Sequence, residues 1–310
     1  MPGPNSLLVL VEDYLADCLS LGQTERTVAA KRTNLKLFMQ WSFSCGITQI
    51  DQLTLKVTKA YRLSLNDYRK KGTDLPIDVS TKRNRMTALK VFLAYLYQEE
   101  LIQDDIASGV QLPKVPRRLP KGYLSVTEVT AIFKLTEYRG SRGLRDRAIF
   151  ETFYATGIRR MELARLELSD IDFDKRLLTV NNGKGGKDRR VPISRRACDI
   201  IELYIVQYRA QHCRLESGKS LFLNNAHKPF TERQLSSLVS EYAKRAGITK
   251  PGACNLFRHS AATTMHENGA DIRHIQEFLG HADISTTQIY TKVALNKLRA
   301  VYDETHPSAL

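Results

Sequence analysis

The stretch LGHADISTTQIY, from Leu279 to Tyr290, places an imidazole just past a glycine helix stop and a phenol nine residues later. A phenol held at a set distance from an imidazole can react as a nucleophile. One tyrosine among thirteen is by default a packing residue. Arg159 follows Gly157 at what reads as a helix start, where a guanidinium and a helix N-terminus could grip one phosphate together. Arg258 and His259 lie near the start of another helix, in CNLFRHS. Lys184 stands between glycines in NGKGGKDRR, where the backbone can come close to a partner. Lys187, Arg189 and Arg190 add charge to the same turn. Singly, each is an ordinary surface residue: an arginine in an ion pair, a lysine in water.

Several other chemistries lack their residues. The glycine-rich turn does not fit GxxxxGK[ST], and no GxGxxG follows a strand into a helix, so a nucleotide cofactor is not expected. His259, His266, His274 and His281 fall close together, yet HExxH is missing and no Cys or Asp stands beside them at ligand spacing. No metal is expected. GxSxG is absent, so nothing points to a serine nucleophile. Five scattered cysteines form no CxxC pair, and the odd count suits a reducing compartment rather than a disulfide framework.

Charge points to the partner. Lys and Arg number 47 against 33 acids, a net +14, and such a surface attracts a polyanion through counterion release. No apolar run approaches the roughly 20 residues needed to span a bilayer. The opening MPGPNSLLVLVEDY reaches acidic residues too soon for a signal peptide. A soluble cytoplasmic protein is the expectation, with nucleic acid as its partner.

The elements that must position these residues divide the chain in two. Residues 7–109 show helical spacing in LVLVEDYLADCL, TVAAKRTNLKLFMQWSF and STKRNRMTALKVFLAYLYQEEL, a bundle of four or five helices. Its basic residues cluster at Lys82, Arg83 and Arg85. LPKVPRRLPKGY comes next, and its prolines cannot continue a helix. Lys114, Arg117, Arg118 and Lys121 make it cationic, suited to lie along a phosphate backbone. We therefore expect a domain over 1–112, a linker over 113–121 and a second domain over 122–310. In the second, capping boxes at Ser125/Glu128 and Thr231/Gln234 open helices. GLRDRAIFETFYATG reads as an amphipathic helix closed by Gly157, and IRRMELARLELSDI as another. RLLTVNNGKGGKDRRVPIS alternates like a β-hairpin. LFRHSAATTMHENG and DIRHIQEFLG read as helices ended by glycine, and KVALNKLRAVYD as a last helix. The expected fold is mainly α, a helical bundle followed by a mixed α/β domain with a small antiparallel sheet.

Taken jointly and in order, RDRAIFETFYATGIRRMEL, GKGGKDRRVPI and NLFRHSAATTMHENGADIRHIQEFLGHADISTTQIYTKV resemble the tyrosine recombinase (phage integrase) family, in its compact bacterial Xer-like form. The resemblance implies a SAM-like core-binding bundle and a catalytic domain. It implies that Arg159 and Arg258 are the two catalytic arginines, Lys184 the hairpin lysine, His281 the late histidine, Tyr290 the nucleophile and Glu162 a supporting acid. The family usually has His or Lys three residues before the second arginine; here that place holds Asn255. Asparagine can donate a hydrogen bond to a phosphate but cannot titrate near neutrality. His259, one residue past Arg258, is expected to face elsewhere. The implied reaction cleaves and rejoins DNA through a 3′-phosphotyrosyl bond without a cofactor. Lys114, Arg117, Arg118, Lys121, Lys187, Arg189, Arg190, Lys82, Arg83 and Arg85 are expected to bind DNA. The implied partners are double-stranded DNA with a specific site and three further copies or a paralogous recombinase, as a tetramer on paired sites that is monomeric or weakly associated without DNA. No membrane is involved; the expected place is the bacterial cytoplasm, on the nucleoid. Two alternatives stand beside this reading, a DNA-binding protein with impaired catalysis because of Asn255, and a type IB topoisomerase-like relaxing enzyme.

Overall fold

The computed structural model describes residues 5–70, 72–116, 122–181 and 188–281, with Asp283, Thr287, Asp303 and Ser308. Lys184, Lys187, Tyr290, Arg117, Arg118, Lys121 and the helix expected over KVALNKLRAVYD, except Asp303, lie outside the described residues. The chain forms two compact units, Met1–Arg117 and Arg118–Leu310, and the division falls within the proline-bearing stretch.

In the first unit, helices α1 (Leu7–Ser20), α2 (Glu25–Ser44), α3 (Leu55–Ser64), α4 (Val79–Gln98) and the short α5 (Ile106–Gly109) surround one apolar core. The connecting segments supply the starts. Thr24 accepts from the Thr27 N–H, Thr54 from Val57 and Asp78 from Thr81, each satisfying an amide that the helix leaves orphaned.

In the second unit, α6 (Val126–Glu137) starts on the Ser125/Glu128 box, and α7 (Gly140–Thr156) ends at Gly157, whose φ of +57° suits glycine. α7 departs from the amphipathic expectation because it is buried around most of its girth, including Arg145, Asp146, Glu151 and Thr152. Those charges are paired: Asp146 accepts from Arg145 and from Tyr242 Oη at 2.8 Å, and Glu151 from Arg147 and Arg196. Buried charge persists where such partners replace water.

IRRMELARLELSDI does not form the single helix that its spacing suggests. α8 (Arg160–Ala164) stops after five residues. Backbone pairing competes for residues 166–168, since Leu166 O accepts from Leu221 N (2.7 Å) and Leu168 N donates to Lys219 O (3.0 Å). The chain then enters β1 (Ile171–Asp172), an edge strand outside the sequence-based expectation. β2 (Leu177–Val180) and β3 (Arg189–Pro192) form the expected hairpin in a three-stranded antiparallel sheet, with Leu178 opposite Val191 and Val180 opposite Arg189. Alternation decides where the arginines go. Val191 points into the core, so Arg189, two residues before it, takes the same side and Arg190 faces solvent.

The next helix is likewise outside that expectation. α9 (Arg195–Tyr204), capped by Ser194, runs through a π turn at Ile205–Arg209 into α10 (Ala210–His212). The wider turn lets Tyr208 and Arg209 both go inward. α11 (Glu232–Arg245) opens on the Thr231/Gln234 box. α12 (Cys254–Glu267) and α13 (Ile272–Leu279) complete the described elements, α13 closed by Gly280 at φ +64°.

Candidate active site

Two helix ends gather the arginines. Arg258 projects from α12, is 5% exposed, and donates to Gly157 O at 2.6 Å and Leu279 O at 2.7 Å. Those carbonyls belong to the C-termini of α7 and α13, where aligned peptide dipoles leave partial negative charge. Arg159 reaches the next carbonyl along, Gly280 O, at 3.0 Å. Two guanidiniums therefore stand side by side because they grip consecutive carbonyls, 279 and 280. Of the two, Arg159 is the more accessible, with 27% of its side chain exposed.

Glu162 is the counter-charge. It accepts from the Arg159 amide (2.7 Å) and guanidinium (2.8 Å), and from Arg189 through both oxygens, at 2.9 and 2.8 Å. Burial pushes this carboxyl up, but the Arg189 and Arg159 hydrogen bonds and charges outweigh it and hold the group at about 2. Arg189 thus belongs to this cluster, tying the hairpin to α8, although its sequence position suggested only a phosphate contact. Its inward side of β3 was the available signal. A Cβ at residue 280 would fall 2.7 Å from Arg189 Cδ and Nε, so the approach requires glycine. The Arg159 amide is committed to Glu162, which leaves the guanidinium, rather than the helix start, to meet an anion.

His281 comes directly after this glycine. Its N–H donates to Gln276 O and its own carbonyl accepts from Gln276 Nε2, both at 3.0 Å. Its Nδ1 lies 2.8 Å from Thr287 Oγ1. Burial first, then Arg258, Arg159, His259 and Arg189, push the imidazole down to about 3. The ring is therefore neutral at neutral pH, and one that accepts from the Thr287 hydroxyl at Nδ1 carries its proton on Nε2, ready to donate. In a proton–nitrogen NMR titration of the free protein, His281 is expected to show no protonation step between pH 8 and 5. A step near 6.5 would overturn this assignment.

His259, next to Arg258 on α12, is half-buried. Burial and Arg258 lower its pKa. Asn255 is exposed and sits one turn earlier; residues four apart share a helix face.

Of the remaining expected cations, Arg190 belongs to the second unit, and Lys114, Lys82, Arg83 and Arg85 to the first. Arg190 and Lys114 are exposed. Lys82 donates to Asn66 Oδ1 (2.7 Å) and Arg83 to Pro113 O (2.9 Å). Arg85 is buried, against the expectation of a surface contact. Among the described residues no group of His, Cys, Asp or Glu is arranged to hold a metal ion, and no helix is long and apolar enough to cross a membrane.

What the cluster can do is bind and polarise a phosphate. It combines guanidiniums of fixed charge and a neutral imidazole donor, with one carboxylate ordering the cations. Known proteins give the family. Residues 123–297 match the phage integrase family. The chain is 40% identical over 300 residues to tyrosine recombinase XerC 2 of Ralstonia nicotianae, covering 97% of this chain and 86% of that one. Among solved structures, the Tn1549 transposon integrase in complex with a circular intermediate DNA superposes with a TM-score of 0.71 at 18% identity, over 96% of this chain and 99% of that one. XerH site-specific recombinase bound to a palindromic difH substrate gives 0.69 at 20% identity, over 89% and 79%. The chain belongs to the phage integrase family and is a Xer-like tyrosine recombinase, an enzyme of site-specific DNA recombination.

Proposed function

We propose that Arg159, Arg258 and His281 activate a DNA backbone phosphate for attack by Tyr290. The observation that carries this reading is the pair of guanidiniums on consecutive carbonyls beside a neutral imidazole, nine residues before that tyrosine. The Tyr290 phenol oxygen bonds to phosphorus, the 5′-oxygen leaves, and a 3′-phosphotyrosyl link conserves the bond energy. Lys184 gives a proton to the leaving oxygen. A 5′-hydroxyl from the partner strand then attacks phosphorus and expels the tyrosine. The arginines and the His281 donor meet charge that grows on the non-bridging oxygens. Asn255 offers a hydrogen bond without titrating and His281 serves as a donor, so the imidazole of His259 is the group we assign to take the Tyr290 phenol proton as its oxygen bonds to phosphorus.

The substrate we propose is duplex DNA carrying a specific site, bound as a tetramer on paired sites, with free protein monomeric or weakly associated. Lys114, Lys187 and Arg190 serve phosphate contacts that set position rather than sequence. The setting is the bacterial cytoplasm. The intact arginine and histidine cluster favours this over a binding protein without catalysis.

The test uses a nicked suicide substrate built from the repeats beside the gene. After detergent denaturation, wild type is expected to retain a covalent protein–DNA adduct, and Tyr290→Phe to lose it entirely. An adduct that persists in Tyr290→Phe would remove Tyr290 as the nucleophile. Relaxation of plasmid lacking any such site would favour the topoisomerase reading.

A further inference from the structure

We infer that the N-terminal unit holds a binding site for a small aromatic anion. The observations are separate from the recombination site. α2, α3, α4 and the segment after α3 border an open pocket of about 380 Å³ whose lining includes Trp41, Tyr61, Tyr68, Asp67 and Arg85, a size usual for small-molecule sites.

The first argument is an uncompensated charge. Arg85 is 7% exposed, and its Nη1 is buried with no hydrogen-bond partner among the described residues. A guanidinium taken from water needs an anion or acceptors in exchange. The contact it does make is with the face of the Tyr68 ring, 4.0 Å from the centroid. Asp67, also on the lining, is exposed rather than folded onto Arg85. The second argument is another orphan on the same wall, since Tyr61 Oη is buried without a partner among the described residues. Two donors that lack acceptors in one cavity call for an oxyanion.

The walls then choose its shape. Trp41 and Tyr61 pack at 5.1 Å with planes 47° apart, and Tyr68 lies over the cation. Aromatic faces reward a flat ring with dispersion and offset stacking, which a bare phosphate cannot collect. The ligand class is thus a planar ring bearing a carboxylate or phosphate. Its oxygens meet Arg85 and Tyr61, and its ring lies against Trp41. Tyr68 is half-buried and caps the guanidinium, so its ring is the wall that shifts on entry.

Trp41 is the only tryptophan of the chain, which makes the site directly observable. The full chain labelled with 5-fluorotryptophan has one fluorine resonance. It is titrated separately with phenyl phosphate, inorganic phosphate, phenol and a short DNA duplex. We expect a saturable shift with phenyl phosphate, at least ten-fold tighter than with phosphate or phenol, and its loss in Arg85→Met. Thermal unfolding checks that this variant is folded; if it is not, Tyr68→Leu is used, with at least five-fold weaker phenyl phosphate binding expected. No saturable shift in wild type would overturn the proposal, as would an undiminished shift in the folded variant used. A response to inorganic phosphate or duplex equal to that for phenyl phosphate would assign Arg85 to the DNA backbone and overturn it equally.

Discussion

Arg258→Ala is expected to lower the rate of covalent adduct formation about a thousand-fold, the scale seen when one preorganised donor to a developing oxyanion is removed. It should also destabilise the second unit, for a reason unrelated to DNA. Gly157 O and Leu279 O both lose the donor that buried Arg258 supplies. Each buried carbonyl left unsatisfied costs about 1–3 kcal/mol, so roughly 3 kcal/mol is expected in total. For a unit of this size that is on the order of 10 °C in Tm. Arg258→Lys separates the two roles. Lysine keeps the charge but, with one compact ammonium, cannot span two carbonyls and still present a planar fork. We expect it to recover much of the stability and little of the rate. Single-turnover cleavage and thermal unfolding on the same preparations check both. Normal cleavage by a stable Arg258→Ala would sink the assignment.

Glu162→Gln is expected to cost about 3 kcal/mol at pH 7, from two lines of reasoning. Removing the charge leaves Arg159 and Arg189 facing each other, and breaking a buried pair costs roughly 3–5 kcal/mol. Independently, a carboxyl held at about 2 against its ordinary 4.5 contributes about 3 kcal/mol by linkage. The folded pKa is the lower one, so that stability is fully present above about pH 4.5 and is lost as pH falls towards 2. Urea unfolding at pH 7, 4.5 and 3 should show wild type and Glu162→Gln converging as acid is added. A gap that stays constant down to pH 3 would mean that Glu162 acts through shape rather than charge. In activity, the variant should lower cleavage more than DNA binding, because Glu162 orders Arg159 rather than touching phosphate.

The candidate site was legible where chemistry forces a residue type. Local motifs single out Arg159, Arg258 and His281, which the structure brings around carbonyls 279 and 280, and Gly280 ends α13 at a positive φ where a side chain would press on Arg189. Helix starts were readable for the same reason, since a cap such as Ser125 acts on an amide three residues away. What escaped depends on distant partners. The helical spacing of IRRMELARLELSDI is real, but residues 219–221 claim its backbone. Arg189 looks like one more cation in a basic turn until the register opposite Val180 turns it toward Glu162. Arg85 sits in a basic run, yet its place on α4 buries it.

The carbonyls that receive Arg258 also set a clock. Gly157 and Leu279 lie 122 residues apart in the chain. A nascent polypeptide synthesised only as far as α12 already contains both arginines, but it lacks the end of α13 that draws them together. The pairing of the two arginines therefore cannot assemble early in translation. It arrives with the last part of the unit, only 11 residues before Tyr290 in the chain, so the arginine pair and the proposed nucleophile become available almost together.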